Sequence, residues 1–205
     1  MKPRNPFAKP LIAAGIVAAI GLGLGEITAG PPAPTKRGVK LPFTVYEDKG
    51  STNNHYVPSG WMGDIKDIKM DEGCTVRPHG GKTCLRFDYA GTGDWAGVVW
   101  QDPVNDWGEK SGGWNLTGAK KLSFWARGEA GGENPVFKFG ILEADKKYPD
   151  SSGGESDGIT LTKEWKQYSI ELSGKDLNCV KTGFAWTLAG QGQTVTFYLD
   201  DIRFE

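Results

Sequence analysis

Short segments in which apolar and polar residues alternate constrain this 205-residue sequence more than any other feature. A period of two is typical of a β-strand that buries one face. Such segments predict strands at 43–47, 83–90, 95–101, 121–127, 136–142, 158–162, 165–172, 181–188 and 194–204. Residues 48–60 are predicted to be a polar loop, and 64–70 stays ambiguous. Glycine-rich turns and the lack of a long helical stripe favour an all-β sandwich or barrel.

The tryptophan-rich stretch 95–108 carries the first functional hypothesis. Its first half predicts a strand that ends before Pro103, because proline cannot donate a hydrogen bond to a ladder. Alternation places one set of residues on one face (Trp95, Gly97, Val99 and Gln101) and a second set on the other (Ala96, Val98 and Trp100). One face must pack in the core. The other is either a binding platform or a second packing surface, since aromatic rings serve in both.

The N-terminal segment has the pattern of a secretory signal peptide. Basic residues precede an apolar run at 11–24, and this run is shorter than the roughly 20 residues of a membrane span. We predict a signal peptide at 1–29, cleaved after Ala29, and a proline-rich linker at 30–42. The protein is then secreted, either extracellular or periplasmic. The alternative is an uncleaved signal anchor, and only in that case would a membrane be a partner.

The net charge argues against nucleic acid as a partner. The whole sequence has a formal net charge of −1. Removing residues 1–29 removes a net charge of +2 and leaves −3, because this segment holds three cations and one acid (Lys2, Arg4, Lys9 and Glu26). A nucleic-acid-binding domain is expected to carry a basic patch or stripe instead.

The search for catalytic groups predicts that the protein is not an enzyme. The sequence has no His-Glu-x-x-His motif. A glycosidase needs two carboxylates that flank one bond, and the sequence contains two pairs of acids, Glu143/Asp145 and Glu155/Asp157. Both pairs lie in polar, glycine-rich sequence that is typical of solvated loops.

The cysteines are consistent with export. Cys74 and Cys84 flank the turn at 78–81, and strands joined by this turn would bring them together. We predict a disulfide between them, as expected in an oxidising compartment. Cys179 is predicted to be a small buried residue.

Three segments together resemble carbohydrate-binding modules of the galactose-binding-like jelly-roll type. They are Asn115-Leu116-Thr117-Gly118 with the strand that follows to Gly128, the Thr-x-x-Trp strand at 160–172, and the closing acidic strand at 197–205. The resemblance covers residues 43–205. It implies a two-sheet jelly-roll β-sandwich and a non-catalytic sugar-binding function.

The resemblance also implies a structural calcium ion between an acid on the first strand and an acid on the last. The matching residues are Glu47 and Asp200, with Asp48 and Asp201 beside them. Calcium prefers six to eight oxygen ligands, so the residue types are suitable. The alternative is that the two aspartates only end the final strand.

Sugar contacts in such modules come from aromatic and polar side chains on an exposed sheet face. Two faces have this mixture: one carries Trp125 and Arg127, the other Trp95 and Gln101. Trp61 and Trp107 could line the rim of the same groove. Trp165 and Trp186 are predicted to be structural.

Three functions are consistent with this sequence. The first is a secreted module that binds a neutral polysaccharide or cell-wall glycan through tryptophans, with a separate glycan-active enzyme as a further partner. The second is a structural or protein-interaction jelly roll without sugar affinity. The third is a small glycan-active enzyme.

Export gives the first testable prediction. Terminal sequencing of the exported protein is expected to begin near Gly30, because the small residues before it match a cleavage site. Recovery of the intact chain from the cytosol would contradict this prediction.

Overall fold

The computed structural model describes residues 38–205. The predicted signal peptide and residues 30–37 of the predicted linker lie outside the described residues. No helix in residues 38–205 is long and apolar enough to cross a membrane. The described part has one 3-10 turn, Ile65–Asp67, and these strands: β1 Phe43–Tyr46, β2 Val57–Gly63, β3 Ile68–Cys74, β4 Cys84–Tyr89, β5 Trp95–Gln101, β6 Lys121–Gly128, β7 Val136–Phe139, β8 Gly154–Glu155, β9 Lys166–Glu171, β10 Thr182–Ala189 and β11 Val195–Phe204.

The strands form two sheets in which every pairing is antiparallel. The six-stranded sheet has the order β3-β4-β11-β6-β9, with β1 paired to the end of β11. The five-stranded sheet has the order β2-β5-β10-β7-β8. The prediction of an all-β sandwich is therefore confirmed.

Four segments differ from the sequence prediction, and one of them is β8, which lies where no strand was predicted. β2 begins inside the predicted polar loop; it is an edge strand, a position that tolerates its Pro58. β7 ends at Phe139, because Gly140 has a φ of 61° and leaves the extended conformation. Residues 158–162 form no strand, and the backbone of Leu161 instead exchanges hydrogen bonds with the 132–133 turn.

Aromatic side chains from both sheets fill the interior. The ring of Trp186 on β10 lies 5.0 Å from the rings of Phe87 on β4 and Phe197 on β11, and all three residues are fully buried. Phe184 on β10 lies 5.2 Å from Phe124 on β6. Edge-to-face pairs of this kind add about 0.5–1.5 kcal/mol beyond the burial of their area. The assignment of Trp186 to the core is confirmed.

A buried ion pair fixes the loops at one end of the five-stranded sheet. The side chains of Asp106 and Lys181 are 2% and 1% exposed, and the Lys181 ammonium donates to the Asp106 carboxylate. Lys181 Nζ also donates to the carbonyl of Lys110 at 2.7 Å and to that of Tyr148 at 3.2 Å. One lysine therefore holds the loop after β5 and the loop before β8 against β10.

The surroundings of Asp106 favour its charged form. Burial by itself raises its pKa, but the hydrogen bond from Lys181 and those from the backbone N–H groups of Lys110 and Glu109 outweigh burial and lower it. A lowered folded-state pKa stabilises the fold above the unfolded pKa of about 3.9. This stabilisation is lost as the pH falls through the folded-state pKa.

Breaking this ion pair is expected to destabilise the protein strongly. Lys181→Met should lower the free energy of unfolding by about 3–5 kcal/mol, because it leaves a buried carboxylate without its cation. The deficit relative to wild type should shrink as the pH is lowered towards 4, where Asp106 of the variant can take up a proton. Chemical denaturation at several pH values measures both effects.

The matched control is the double variant Asp106→Asn/Lys181→Met. Asparagine keeps an acceptor for the loop N–H groups without a charge, so the double variant should be more stable than Lys181→Met at neutral pH. A double variant as unstable as the single one would contradict this account.

Candidate functional site

The outer face of the five-stranded sheet carries an open cleft. Ala96, Val98 and Trp100 of β5 belong to the core between the sheets, which places Trp95 and its alternating partners on the outer face as predicted. The cleft encloses about 440 Å³. Its lining residues are Met62, Trp95, Lys138, Phe139, Gly140, Ile141, Glu143, Gly153, Gly154, Glu155 and Thr187.

Trp95 gives the cleft its aromatic surface. It is the first residue of β5 and is 43% exposed, a large exposure for a tryptophan within a strand. Met62 of β2 and Thr187 of β10 lie opposite Gly97, one on each side, and so line the cleft beside it. A Cβ atom on Gly97 would lie 2.5 Å from the carbonyl oxygen of Trp186, so the strands can approach this closely only at a glycine.

The opposite wall of the cleft is polar. Lys138 Nζ on β7 donates to Glu155 Oε2 on β8 at 2.7 Å, and this contact lowers the pKa of Glu155. Glu143 adds a second carboxylate. The wall can form because Gly140 packs against the backbone of Ser152, where a Cβ atom would come within 2.0 Å of the carbonyl oxygen. The cleft thus offers an apolar ring on one side and hydrogen-bonding groups on the other.

Most of this polar wall could not be recognised from the sequence. The alternation of 136–142 did place Lys138 opposite Phe137 and Phe139, which was the available signal. Glu143 and Glu155 have the pattern of solvated loop charges, and only the pairing of β7 with β8 brings Lys138 and Glu155 together. Met62 was missed because β2 was not predicted.

Three predicted contact residues lie outside the lining of this cleft. Gln101 is 1% exposed; its Oε1 accepts a hydrogen bond from Ser59 Oγ at 2.9 Å, and its Nε2 donates to the carbonyl of Asp106 at 2.7 Å. Its polar atoms are therefore used to hold a loop. Trp61 is half-buried and packs against the core. Trp107 is 36% exposed in the loop after β5.

The face with Trp125 and Arg127 is not open, which corrects the expectation of an exposed platform there. The loop at 75–82 covers it. The ring of His79 stacks on Trp125 with centroids 3.7 Å apart, and Arg127 is only 2% exposed. The Arg127 guanidinium lies 3.5 Å from the ring centre of Tyr198 and donates to the carbonyl of Val76. The loop takes the place on Trp125 that a sugar would need.

Two acids anchor this covering loop: Asp48, just after β1, and Asp200, in the middle of β11. Asp200, which is fully buried, accepts hydrogen bonds from the backbone N–H groups of His79 at 2.9 Å and Gly80 at 3.1 Å. Asp48 accepts them from Lys82 and Thr83. Burial, together with the neighbouring charge of Asp201, raises the pKa of Asp200 to about 6.

The four acids predicted to bind calcium all take part in other hydrogen bonds in this structure. Within residues 38–205 there is no group of three or more metal-binding side chains. Asp48 and Asp200 are used by loop N–H groups, and only Glu47 and Asp201 line a common cavity, of about 20 Å³. Two carboxylates fall short of six to eight oxygen ligands, so backbone carbonyls would have to supply the others. Calcium at these acids stays a prediction.

The predicted disulfide is not formed in this structure, although the two cysteines lie close together as predicted. Cys74 and Cys84 lie directly opposite each other on β3 and β4, and both are free. The thiol of Cys84 points to the carbonyl of Cys74 at 3.5 Å, and burial raises the pKa of this thiol to about 12. A thiol in this state is a poor nucleophile for disulfide formation.

A two-sheet jelly roll with an aromatic ring in a surface cleft is consistent with a carbohydrate-binding module, and the family comparison shows this class. The profile of the family described as carbohydrate binding domain 30 matches residues 43–205, so the chain belongs to this family. The family consists of non-catalytic binding modules, and the chain is accordingly a sugar-binding domain rather than an enzyme. No curated protein sequence matches the chain.

Solved structures show the same fold at low sequence identity. A crystal structure of a family 30 carbohydrate-binding module has a TM-score of 0.55 and 17% identity, over 81% of this chain and 99% of that one. The family 11 module of the cellulosomal cellulase Lic26A-Cel5E of Clostridium thermocellum has a TM-score of 0.54 and 16% identity, over 82% and 95%. The family 30 module of the cellulosomal cellulase Cel9D-Cel44B from the same organism has a TM-score of 0.51 and 19% identity, over 81% of this chain and 98% of that one.

The anchoring of the loop gives a testable prediction. Asp200→Ala is expected to lower the melting temperature both with and without a chelator, because two N–H groups of the loop lose their acceptor. Calcium binding instead requires that chelation lower the melting temperature of the wild type, and that Asp200→Ala no longer respond to the chelator. Thermal melts of both proteins distinguish these outcomes.

Proposed function

We propose that this protein is a secreted carbohydrate-binding module that binds a neutral polysaccharide in the Trp95 cleft. The proposed partner is a cell-wall or storage glycan. The exposed ring of Trp95 inside an open, polar-walled cleft is the observation that carries the proposal.

The ring of Trp95 suits a pyranose. One face of a pyranose is lined by C–H groups and packs against an aromatic ring, while its hydroxyl groups point sideways. A continuous exposed apolar surface in a groove is typical of a ligand-binding site. Met62 extends the apolar surface beside this ring.

The charges on the polar wall favour a neutral glycan over an acidic one. Lys138 and Glu155 neutralise each other, and Glu143 adds a negative charge that disfavours an acidic glycan. The Thr187 hydroxyl can both donate and accept a hydrogen bond. The affinity should be modest, about 10 µM to 1 mM or roughly 4–7 kcal/mol, since water competes for every hydroxyl.

Secretion and the partner enzyme remain part of the proposal. The N-terminal sequence supports export, and a binding module would concentrate a separate glycan-active enzyme on its substrate. A jelly roll that binds another protein is the alternative that the experiment must separate.

Substitution of Trp95 tests the proposal. Trp95→Ala is expected to weaken binding at least about tenfold, because it removes the stacking surface. The fold should stay intact, since the ring lies outside the core. Affinity electrophoresis against glucan, mannan, xylan and galactan, followed by calorimetry with the retained glycan, measures the effect.

Trp107→Ala is the matched control, because this tryptophan is similarly exposed but lies outside the cleft lining. This variant should keep most of the affinity for the glycan. Raising the salt concentration should change the affinity of the wild type little, because the glycan is neutral. If the folded wild type retains none of the four glycans, the protein-interaction function replaces this proposal. Equal losses in both variants would extend the site along β5 to the Trp107 loop.

A further inference from the structure

A second cleft belongs to the other sheet of the sandwich. It lies at the edge of β1, encloses about 640 Å³, and has residues 39–42 as one wall. β1 pairs with β11 in the six-stranded sheet, whereas the Trp95 cleft is formed on the five-stranded sheet. The described linings of the two clefts share no residue. The second cleft therefore plays no part in the function proposed above.

Aromatic rings form one side of this second cleft. The ring of His55 stacks on Phe43, with centroids 3.9 Å apart, and Trp114 lies edge-on to His55 at 5.3 Å. His55 is held in place because its Nδ1 lies 3.0 Å from the carbonyl oxygen of Thr44 and its backbone N–H donates to the same atom. Phe43 is buried, while His55 and Trp114 are half-buried and line the cleft.

Two cations face the same cleft. Arg203 of β11 has 39% of its side chain exposed, and its Nε lies 3.8 Å from Glu205 Oε2. This Nε is itself buried and has no hydrogen-bond acceptor among residues 38–205, so a ligand in the cleft can reach only the exposed part of the Arg203 side chain. Lys40 is exposed on the opposite wall. The acid of the cleft, Glu47, already accepts hydrogen bonds from side chains of the 51–53 turn.

We propose that this second cleft binds a saccharide that carries a carboxylate, that is, a uronic acid. The pyranose ring would pack on His55 and Trp114, and the carboxylate would pair with Arg203. A guanidinium matches a carboxylate through two parallel hydrogen bonds, and Lys40 adds a second positive charge at the rim. A neutral sugar could form no charge-assisted hydrogen bond with these cations. The protein then holds two chemically different glycans on its two sheets.

Calorimetry with an oligogalacturonide tests this proposal on the whole protein. The controls are a neutral galactan oligosaccharide of the same length and acetate, which supplies the charge without the ring. All three ligands are measured in the Trp95→Ala variant, so that the Trp95 cleft does not contribute to the comparison. The oligogalacturonide should bind at least about tenfold more tightly than either control, because only it uses both the rings and the cations. Its affinity should fall as the salt concentration rises, unlike that of the neutral glycan in the Trp95 cleft.

Substitutions assign the binding to this cleft. Arg203→Gln should lower the affinity for the oligogalacturonide at least about tenfold. Arg86→Gln is the matched control: Arg86 lies in the same sheet with 38% of its side chain exposed, but outside the cleft lining. Arg86→Gln and Trp95→Ala should both keep the wild-type affinity. Trp95→Ala also separates this site from the function proposed above, since it should weaken only the neutral glycan.

Several results would overturn the proposal. Equal affinity for the acidic and neutral oligosaccharides would remove the role of the cations. Acetate binding as tightly as the oligogalacturonide would reduce the cleft to a simple anion site. Equal losses in Arg203→Gln and Arg86→Gln would place the binding elsewhere. If Arg203→Gln fails to fold, Lys40→Gln replaces it in the test, because Lys40 is exposed and its substitution removes no packing. Unaltered affinity of Lys40→Gln for the oligogalacturonide would then contradict the proposed site.

Discussion

The contact of Trp186 with Phe87 and Phe197 joins the two sheets, and the position of the Trp95 cleft depends on it. Each strand can give only alternate side chains to this aromatic interior. The remaining side chains of β5 and β10 face outward, where Gly97 and Thr187 leave room for a ligand. The core therefore fixes where a cleft can form before any surface residue is considered.

The outer faces of the two sheets differ in exposure, because a loop covers one face and leaves the other open. On the six-stranded sheet, Asp48 and Asp200 accept the N–H groups of the 75–82 loop and draw it over Trp125. On the five-stranded sheet, the segments around Gly140 and Ser152 pack against each other at the side and leave Trp95 exposed. Two faces with similar tryptophan-containing sequences are thus covered in one case and open in the other.

Local patterns predicted those features that depend on neighbouring residues. Alternation in β5 correctly separated Trp95 from Trp100, and the turn after Cys74 correctly brought Cys84 opposite to it. Local patterns failed where a distant residue decided the outcome. Burial of Arg127 depends on the carbonyl of Val76, 51 positions away in the sequence, and Gln101 is held by Ser59, 42 positions away. An edge strand such as β2, with its proline and glycines, has too little alternation to be recognised alone.

The sequence by itself determined the fold class, the inward and outward sides of the central strands, and the resemblance that the family match confirms. These properties follow from the period of two and from short-range turns. Tertiary structure alone decided which outer face is open, because the covering of Trp125 depends on a contact between His79 and Asp200, which are 121 residues apart. It also decided that the cleft has a polar wall, because Lys138 and Glu155 meet only when β7 pairs with β8.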